Sequence, residues 1–389
     1  MKNFTVNQPT RVYFGKNQIE KLERELAPYK HILLAYGSGS IKKNGVYDAV
    51  VSILNKLNKP FSELSGIQPN PRISSVREGI RICKENKVDL ILAVGAGSTI
   101  DCSKAIAFGN FYEGDPWDFF IGKARISKST DMGVILTLPA TGSETNGFTV
   151  VSNDETKEKL ATGGDLLRPK FAILDPEYTM SLPAIQTAAG AADIMSHCFE
   201  QYFSPVTTCT ISDRLAEAVM RTVVQHAPVA LREPDNYDSR ANIMWAGTVA
   251  LNGILTFGKI PDWATHGIEH EISAIYDLAH GVGLAILFPN WMRYVLNEDN
   301  APKFAEYAEN VWGVAKEKPM MEKAKEGIDR TRQFFTSLGL PATLPEVGID
   351  GKHIKEMAVK AVKNYGAAKM GSFAELSVED VEEILSMSL

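Results

Sequence analysis

Three apolar runs in the first half of the chain each lead straight into a turn rich in glycine, serine or threonine. The runs and their turns are 31–36 with 37–40 (GSGS), 88–94 with 95–98 (GAGS), and 133–138 with 139–144 (PATGSE). Helical patterns such as 46–57 and 75–86 lie between them, and a further apolar run spans 171–174. Uniformly apolar strands that alternate with helices are typical of a parallel sheet covered on both faces. We therefore predict an α/β fold with a parallel sheet.

After Leu182-Pro183 the apolar residues recur with a period near 3.6, which predicts helices. The predicted helical segments are 184–203, 210–232, 238–257, 264–277, 301–316, 319–338, 352–364 and 378–387. A length of 389 residues suits two domains. We predict an α/β dinucleotide-binding domain over residues 1–180 and an all-helical domain over residues 181–389.

The charge balance, the lack of long apolar runs and the polar N-terminal segment disfavour several classes of protein. Lys and Arg total 41 and Asp and Glu total 47, a net charge of −6 that disfavours nucleic acid as the main partner. No run of 18 apolar residues is present and the N-terminal segment is polar, so we expect no membrane span, no signal peptide and a cytoplasmic location. The four cysteines are widely spaced, and we expect free thiols.

The turn Gly95-Ala96-Gly97-Ser98 follows a predicted strand and opens a predicted helix. Glycines allow the backbone to approach a phosphate, and the first N–H groups of a helix favour negative charge. The turn therefore suits a pyrophosphate, although it matches only part of the dinucleotide fingerprint and a plain tight turn remains open. A third loop, 141–146, could line the same crevice or simply cap a helix.

The turn after the first run carries Gly37, Ser38, Gly39 and Ser40, followed by two lysines at 42 and 43. In a nucleotide-binding sheet this position faces the adenosine ribose, where an acidic residue holds the 2′-hydroxyl of NAD. The turn has no acidic residue, and its serines and lysines could instead accept a 2′-phosphate. This composition favours NADP(H) over NAD(H), the alternative being a solvated loop.

A carboxylate and several histidines of the second half have spacings that suit a metal ion. Asp193 and His197 are four residues apart and share one face of a predicted helix. His266 lies on another helix, and the chain after it could return His280 to the same place. One carboxylate with three imidazoles suits Fe²⁺ or Zn²⁺, and ligand type alone does not choose between them.

An overlapping motif offers a competing interpretation. His266, Glu269 and His270 fit H-x-x-E-H, in which two histidines bind zinc and the glutamate activates water. That interpretation leaves the glycine-rich turns and the pair Asp193/His197 without a role.

Taken together, these motifs resemble the iron-dependent, or group III, alcohol dehydrogenases, and within that family the bacterial butanol dehydrogenases and NADPH-dependent aldehyde reductases. The resemblance spans nearly the whole chain through an ordered set of motifs. They are 9–15 (PTRVYFG), 36–40 (YGSGS), 94–98 (VGAGS), 138–144 (LPATGSE), 174–176 (LDP), Asp193 with His197, 262–266 (DWATH) and 277–280 (DLAH). It implies a nucleotide-binding α/β domain followed by a helical domain, the dehydroquinate synthase-like architecture.

The resemblance also implies roles for individual residues. The implied metal ligands are Asp193, His197, His266 and His280, and His270 matches a histidine close to the substrate. The implied nucleotide contacts are Gly37, Ser38, Gly39, Ser40, Gly95, Ala96, Gly97, Ser98, Asp101, Thr137, Thr141 and Lys159. Ser38 stands where close NADPH-dependent relatives have glycine.

The resulting hypothesis is a metal-dependent, NAD(P)H-linked alcohol dehydrogenase that acts on a small aldehyde or primary alcohol such as butanal or butanol. His270 is the candidate proton relay, because a neutral imidazole titrates near the working pH. The alternatives are a polyol (glycerol-type) dehydrogenase or a sugar-phosphate cyclase of the same architecture, and a non-enzymatic binding module. A homodimer formed through the N-terminal sheet edge is plausible.

Overall fold

The computed structural model describes residues 1–389, and its first half is built on one parallel sheet, as predicted. The six strands of the sheet are β1 Arg11–Phe14, β2 Ile32–Tyr36, β3 Phe61–Leu64, β4 Leu90–Gly95, β5 Asp131–Leu136 and β8 Phe171–Leu174. They follow the order β1-β8-β5-β4-β2-β3, and every neighbouring pair is parallel. Strands β2, β4 and β8 are buried throughout, which explains why their sequences are uniformly apolar.

Helices cover both faces of the sheet. They are α1 Leu22–Leu26, α2 Ser40–Lys43, α3 Val46–Lys56, α4 Ile73–Asn86 and α5 Gly97–Gly109. Alternate residues of a strand face opposite sides. In β2, Leu33 therefore packs in the apolar cluster that includes α4 and α5, and Leu34 in the cluster that includes α1 and α3.

A separate antiparallel pair, β6 Phe148–Asn153 and β7 Glu158–Gly163, was not predicted from the sequence. Its strands are partly exposed and polar, so they lack the apolar signal of the central strands. Strands β1 and β3 were missed for the same reason, since each is short and only partly buried.

The second half is helical, as predicted. Its helices are α6 Ala184–Tyr202, α7 Thr210–Arg232, α8 Tyr237–Leu251, α9 Ala264–Tyr276, α10 His280–Val295, α11 Ala301–Trp312, α12 Met320–Ser337, α13 Ile354–Tyr365 and α14 Val378–Ser386. Short 3₁₀ turns occupy Gln18–Lys21, Pro116–Phe119, Asp165–Leu167, Pro176–Thr179, Pro345–Val347 and Gly351–His353. Helix α8 ends at Leu251, six residues before the predicted end at 257. Helix α10 was missed because it is buried almost all round and shows no 3.6-residue polar period.

The chain divides into two compact units. One comprises residues 7–182 and 234–248, and the other comprises residues 1–6, 183–233 and 249–389. The chain thus changes unit after Leu182, and most of α8 is grouped with the sheet. Within that unit the Thr248 hydroxyl donates a hydrogen bond to Glu144 (2.6 Å), and Trp245 packs edge-on against Phe14. All four cysteines are free and buried. None of the helices combines the length and the apolar character needed to cross a membrane.

Candidate metal centre and nucleotide-binding loops

The three glycine-rich turns predicted from the sequence converge at one edge of the sheet. Strands β2, β4 and β5 are parallel neighbours, so their carboxyl ends share that edge. A Cβ placed on Gly37 would lie 3.9 Å from the Thr99 hydroxyl, and one placed on Gly95 would lie 2.5 Å from the same oxygen. A Cβ on Gly97 would lie 2.6 Å from Thr141, so a side chain there has no room. Ligands of open α/β sheets bind at such an edge, where successive loops meet.

The loop Gly95–Ser98 leads directly from β4 into α5, as the pyrophosphate interpretation requires. Ala96 is extended, with φ −91° and ψ −175°, and the 13-residue helix begins at Gly97. Unpaired N–H groups at a helix start bind anions. The buried Thr137 donates its N–H to the Gly95 carbonyl oxygen (3.0 Å), which holds the ends of β4 and β5 together.

Asp101 and Lys104, one turn apart on α5, organise the loop that carries Thr141. The Asp101 carboxylate accepts hydrogen bonds from the Ser143 hydroxyl (2.6 Å) and the Val150 N–H (2.9 Å). The Lys104 ammonium donates to Ser143 Oγ (2.7 Å), Asn146 Oδ1 (3.0 Å) and the Phe148 carbonyl (2.8 Å).

Lys104 has no exposed surface, and burial lowers its pKa to about 8. Burial also raises the pKa of Asp101. Sequence analysis placed Asp101 among the nucleotide contacts and overlooked Lys104. The available signal was the only lysine of the helix, which directly precedes the apolar run 105–108. Lys159 is buried on β7, opposite Ser152 of β6.

The four predicted metal ligands come from three helices of the other unit. Asp193 and His197 lie on α6, His266 is the third residue of α9, and His280 is the first residue of α10. Asp193 Oδ1 lies 3.8 Å from Nε2 of His197 and 3.7 Å from Nε2 of His280. One ligand atom each from Asp193, His266 and His280 lies within 4.8 Å of the other two. The structure thus brings these three together and places His197 beside Asp193.

The distances between these atoms are too long for hydrogen bonds and suit ligands that share one bound ion. Separations of 3.7 and 3.8 Å exceed a hydrogen bond. Two ligands about 2.1 Å from a tetrahedral ion would lie roughly 3.4 Å apart. Asp193 Oδ1 and His266 Nε2 are buried and have no hydrogen-bond partner, which is unusual for buried polar atoms. A carboxylate oxygen and imidazole nitrogens are donors suited to Fe²⁺ or Zn²⁺.

Two buried glutamates, neither of them among the implied metal ligands, contact the opposite nitrogen of two of these imidazoles. Sequence analysis overlooked Glu200 and considered Glu269 only in the competing motif. Glu200 Oε1 lies 2.7 Å from Nδ1 of His266, and Glu269 Oε2 hydrogen-bonds Nδ1 of His280. Carboxylates in this position fix the tautomer of metal-binding histidines and leave Nε2 as the ligand.

The competing H-x-x-E-H interpretation is wrong. It requires Glu269 to face a water near His266 and His270. The Glu269 side chain is instead fully buried, and its carboxylate is hydrogen-bonded to the Ser273 hydroxyl and to His280. His270 is partly buried, and its ring centroid lies 5.5 Å from that of His280, which places it at the margin of the metal centre.

Comparison with known proteins identifies relatives over the whole chain. A family model described as iron-containing alcohol dehydrogenase matches residues 9–176, and one described as the C-terminal region of the Fe-containing alcohol dehydrogenase family matches residues 187–389. NADH-dependent butanol dehydrogenase A of Clostridium acetobutylicum is 50% identical, with 100% of both chains covered. The NADPH-dependent aldehyde reductase YqhD of Escherichia coli is 39% identical, with 97% of both covered. The crystal structure of NADH-dependent butanol dehydrogenase A from Thermotoga maritima superposes with a TM-score of 0.95 at 40% identity, covering 100% of this chain and 99% of that one.

Proposed function

Because the chain belongs to the iron-containing alcohol dehydrogenase family, we propose that it interconverts a small aliphatic aldehyde, such as butanal, and the corresponding primary alcohol. In the reducing direction one hydride and one proton are added to the carbonyl group, and the nicotinamide is oxidised. The enzyme class follows from the family and from relatives named butanol dehydrogenase and aldehyde reductase. The observation that carries the proposal is the convergence of Asp193, His266 and His280, with unpartnered buried ligand atoms.

In this proposal Asp193, His197, His266 and His280 hold one divalent ion, Fe²⁺ or Zn²⁺. When bound, such an ion acts as a Lewis acid on the carbonyl oxygen and stabilises the developing alkoxide. The protein supplies the buried environment, since Asp193, His197 and His266 are 3–6% exposed. Only His280 is more open, with 23% of its side chain accessible, so the substrate is expected to approach from its side.

The glycine-rich edge of the sheet holds the nicotinamide cofactor in this proposal. Gly95, Ala96, Gly97 and Ser98 bind the pyrophosphate, and Gly37, Ser38, Gly39 and Ser40 face the adenosine ribose. Thr137 and Thr141 add contacts at the end of β5. Lys159 is proposed near the nicotinamide ribose, and Asp101 on the helix that follows the pyrophosphate loop. The hydride chemistry belongs to the cofactor, and these loops provide its orientation.

His270 is proposed to pass a proton to the alkoxide oxygen. Its ring stands beside that of His280, at the more open margin of the metal centre. An imidazole can hold a proton on one nitrogen and exchange it with solvent near neutral pH. Replacing His270 with Ala is expected to lower turnover and change its pH profile while the protein still binds its metal ion.

The proposal also concerns the choice of cofactor, which is NADP(H) with a 2′-phosphate or NAD(H) with a 2′-hydroxyl. The absence of an acidic residue within the turn 37–43 supports NADP(H). Two observations favour NADH: the relative at 50% identity is named NADH-dependent, and the structure brings Glu63 of β3 to Tyr36, the residue before the turn. We therefore propose that both cofactors are accepted and that this turn sets their ratio.

The test is oxidation of NADPH and of NADH with butanal by protein stripped with a chelator and then supplied with Fe²⁺ or Zn²⁺ without oxygen. Metal-dependent oxidation is expected with both cofactors. Absence of turnover with butanal, together with turnover of a polyol, would contradict the substrate class and leave the polyol dehydrogenase as the function.

A matched pair of variants tests the metal ligands. His280→Ala is expected to abolish metal-dependent turnover and to weaken Zn²⁺ binding. His353→Ala removes an imidazole that pairs with Glu356, distant in sequence from the proposed ligands, and is expected to leave both unchanged. Equal metal binding by His280→Ala and the unmodified protein would remove His280 from the ligand set.

A cytoplasmic location and a homodimer stay predictions from the sequence.

A further inference from the structure

Glu200 is a buried carboxylate that the proposed reaction does not use. It lies on α6, three residues after His197, and its side chain has no exposed surface. An isolated buried carboxylate is unfavourable unless its oxygens are hydrogen-bonded. Its partners therefore indicate what it does.

All the partners of the Glu200 side chain belong to the start of α9. Oε1 accepts hydrogen bonds from the backbone N–H (3.0 Å) and Nδ1–H (2.7 Å) of His266. Oε2 accepts one from the backbone N–H of Trp263 (2.7 Å). The Glu200 carbonyl oxygen also accepts from the Asp262 N–H (2.8 Å). One residue of α6 thus holds the segment from Asp262 to His266.

These contacts have three physical consequences, one for the His266 side chain and two for the backbone at the start of α9. A proton on Nδ1 leaves Nε2 as the lone-pair nitrogen, and Nε2 is the buried atom without a partner. The carboxylate also compensates unpaired N–H groups at the start of a 13-residue helix. Finally, the hydrogen bond from the Trp263 N–H to the carboxylate helps to stabilise the backbone of Trp263, whose φ of 63° is a left-handed conformation that a bulky residue rarely adopts.

We propose that Glu200 is a positioning residue for the metal centre, which fixes the tautomer of His266 and the start of α9 so that Nε2 faces Asp193 before an ion binds. This inference rests on the proposed metal site. It predicts that removing the Glu200 charge weakens metal binding although Glu200 does not touch the ion.

The test compares Glu200→Gln with Glu271→Gln in the full chain. Glu271 is a suitable control because, like Glu200, it is a buried glutamate. It lies on α9, and its Oε1 accepts a hydrogen bond from the Asn364 side chain (2.8 Å) instead of from His266. Zn²⁺ affinity is measured on the metal-free proteins by competition with a chromophoric chelator. Glu200→Gln is expected to bind Zn²⁺ about 10- to 100-fold more weakly, and Glu271→Gln within about twofold of the unmodified protein. Glu200→Asp keeps the charge and is expected to fall between them.

A second measurement separates positioning from general loss of structure. In metal-free protein with ¹⁵N-labelled histidine, the His266 shifts are expected to report the Nδ1–H tautomer, and Glu200→Gln is expected to shift it toward a mixture. Unchanged Zn²⁺ affinity in both Glu200 variants, or an unchanged tautomer in Glu200→Gln, would overturn the proposal. Equal weakening by Glu271→Gln would overturn it too. If the unmodified protein and His280→Ala bind Zn²⁺ equally weakly, the metal site itself fails, and with it the proposed function.

Discussion

Asp262 is a buried carboxyl group whose Oδ1 accepts the backbone N–H groups of Ser372 (2.5 Å) and Phe373 (2.7 Å). Burial, and to a smaller extent the nearby charge of Glu200, raise its pKa to about 7. The folded protein therefore holds this proton between about pH 4 and pH 7, whereas the unfolded chain has released it. The stabilising contribution of the group is complete below about pH 4 and is lost as the pH rises through 7.

Replacing Asp262 with Asn should remove this pH dependence, since the amide oxygen can still accept both N–H groups. In the metal-free protein we expect Asp262→Asn to be more stable than the unmodified protein at pH 8, by up to ~4 kcal/mol for a shift of about three pKa units. The two should have nearly equal stability at pH 4. Urea unfolding at the two pH values checks this, with the exposed Asp299→Asn as control. An equal change in the free energy of unfolding at pH 4 and pH 8 would mean that the substitution acts through packing and not through the proton of Asp262.

Only the structure brings Glu63 of β3 close to the turn that is proposed to face the adenosine ribose. The hydroxyls of Tyr36 (2.5 Å) and Tyr47 (2.8 Å) both donate to its carboxylate, and the Lys42 ammonium lies over both rings. Lys42, which the sequence assigned to a 2′-phosphate, thus lies over two tyrosine rings whose hydroxyls bind the Glu63 carboxylate.

Glu63→Gln should raise the NADPH-to-NADH ratio of kcat/KM by about two- to fivefold, as expected for one solvent-exposed charge worth up to ~1 kcal/mol. The ratio is measured with both cofactors and butanal. Glu23→Gln removes a charge of the same sign that pairs with Lys56, and it should leave the ratio unchanged. A ratio that stays constant or falls in Glu63→Gln would show that Glu63 does not oppose the 2′-phosphate.

At the scale of elements, the position of the proposed metal ligand His280 depends on how closely α10 packs against α6. Gly281 follows His280, and a Cβ there would lie 2.1 Å from the Ala189 carbonyl oxygen of α6. Any side chain at this position must push the two backbones apart. Because His280 is the first residue of α10, such a shift would carry it away from Asp193.

Gly281→Ala is therefore expected to weaken Zn²⁺ binding and to lower the free energy of unfolding by about 1–3 kcal/mol. Chelator competition and urea unfolding measure the two effects. Gly351→Ala is the control, because its added Cβ would meet only the ends of two side chains, those of Leu389 (3.2 Å) and Ile354 (3.6 Å). Normal metal affinity in Gly281→Ala would mean that His280 is placed independently of this helix contact.

Sequence patterns predicted the fully buried strands of the sheet and the helices that have one apolar face. They failed for one helix that is buried almost all round and for strands of mixed polarity. Helix α10 is apolar nearly all round and was missed. Strand β6 carries polar residues even at buried positions, and β7 is mostly exposed or partly exposed, so neither gave a strand signal. The pattern over 238–257 predicted a helix, but periodicity alone carries no information that α8 would be grouped with the sheet.

At the scale of the whole molecule, the residues proposed to bind the metal ion and those proposed to bind the cofactor belong to different compact units. The proposed metal-binding residues lie in the unit that contains 183–233 and 249–389, and the loops proposed to bind the cofactor lie in the unit that contains 7–182. A ligand stabilises the structure to which it binds.

Removal of the metal should therefore increase amide hydrogen exchange at 264–283 and leave the loop 141–148 unaffected. Adding NADH to the metal-free protein should protect 95–98 and 141–148 instead. Hydrogen–deuterium exchange with mass spectrometry resolves these segments. Increased exchange of 141–148 on metal removal would show that the two sites are coupled through the fold.

The sequence by itself determined the local features of this protein, because they depend on neighbouring residues. Apolar runs specified strands β2, β4 and β5, glycines specified the turns that follow them, and the four-residue spacing of Asp193 and His197 put both on one helix face. Only the tertiary structure decided which distant groups meet. Glu200 and Glu269 contact the imidazoles, Lys104 binds the 143–148 loop, and Glu63 reaches Tyr36. These contacts join residues of different elements, and their positions follow from packing and the burial of charge, which no local pattern records.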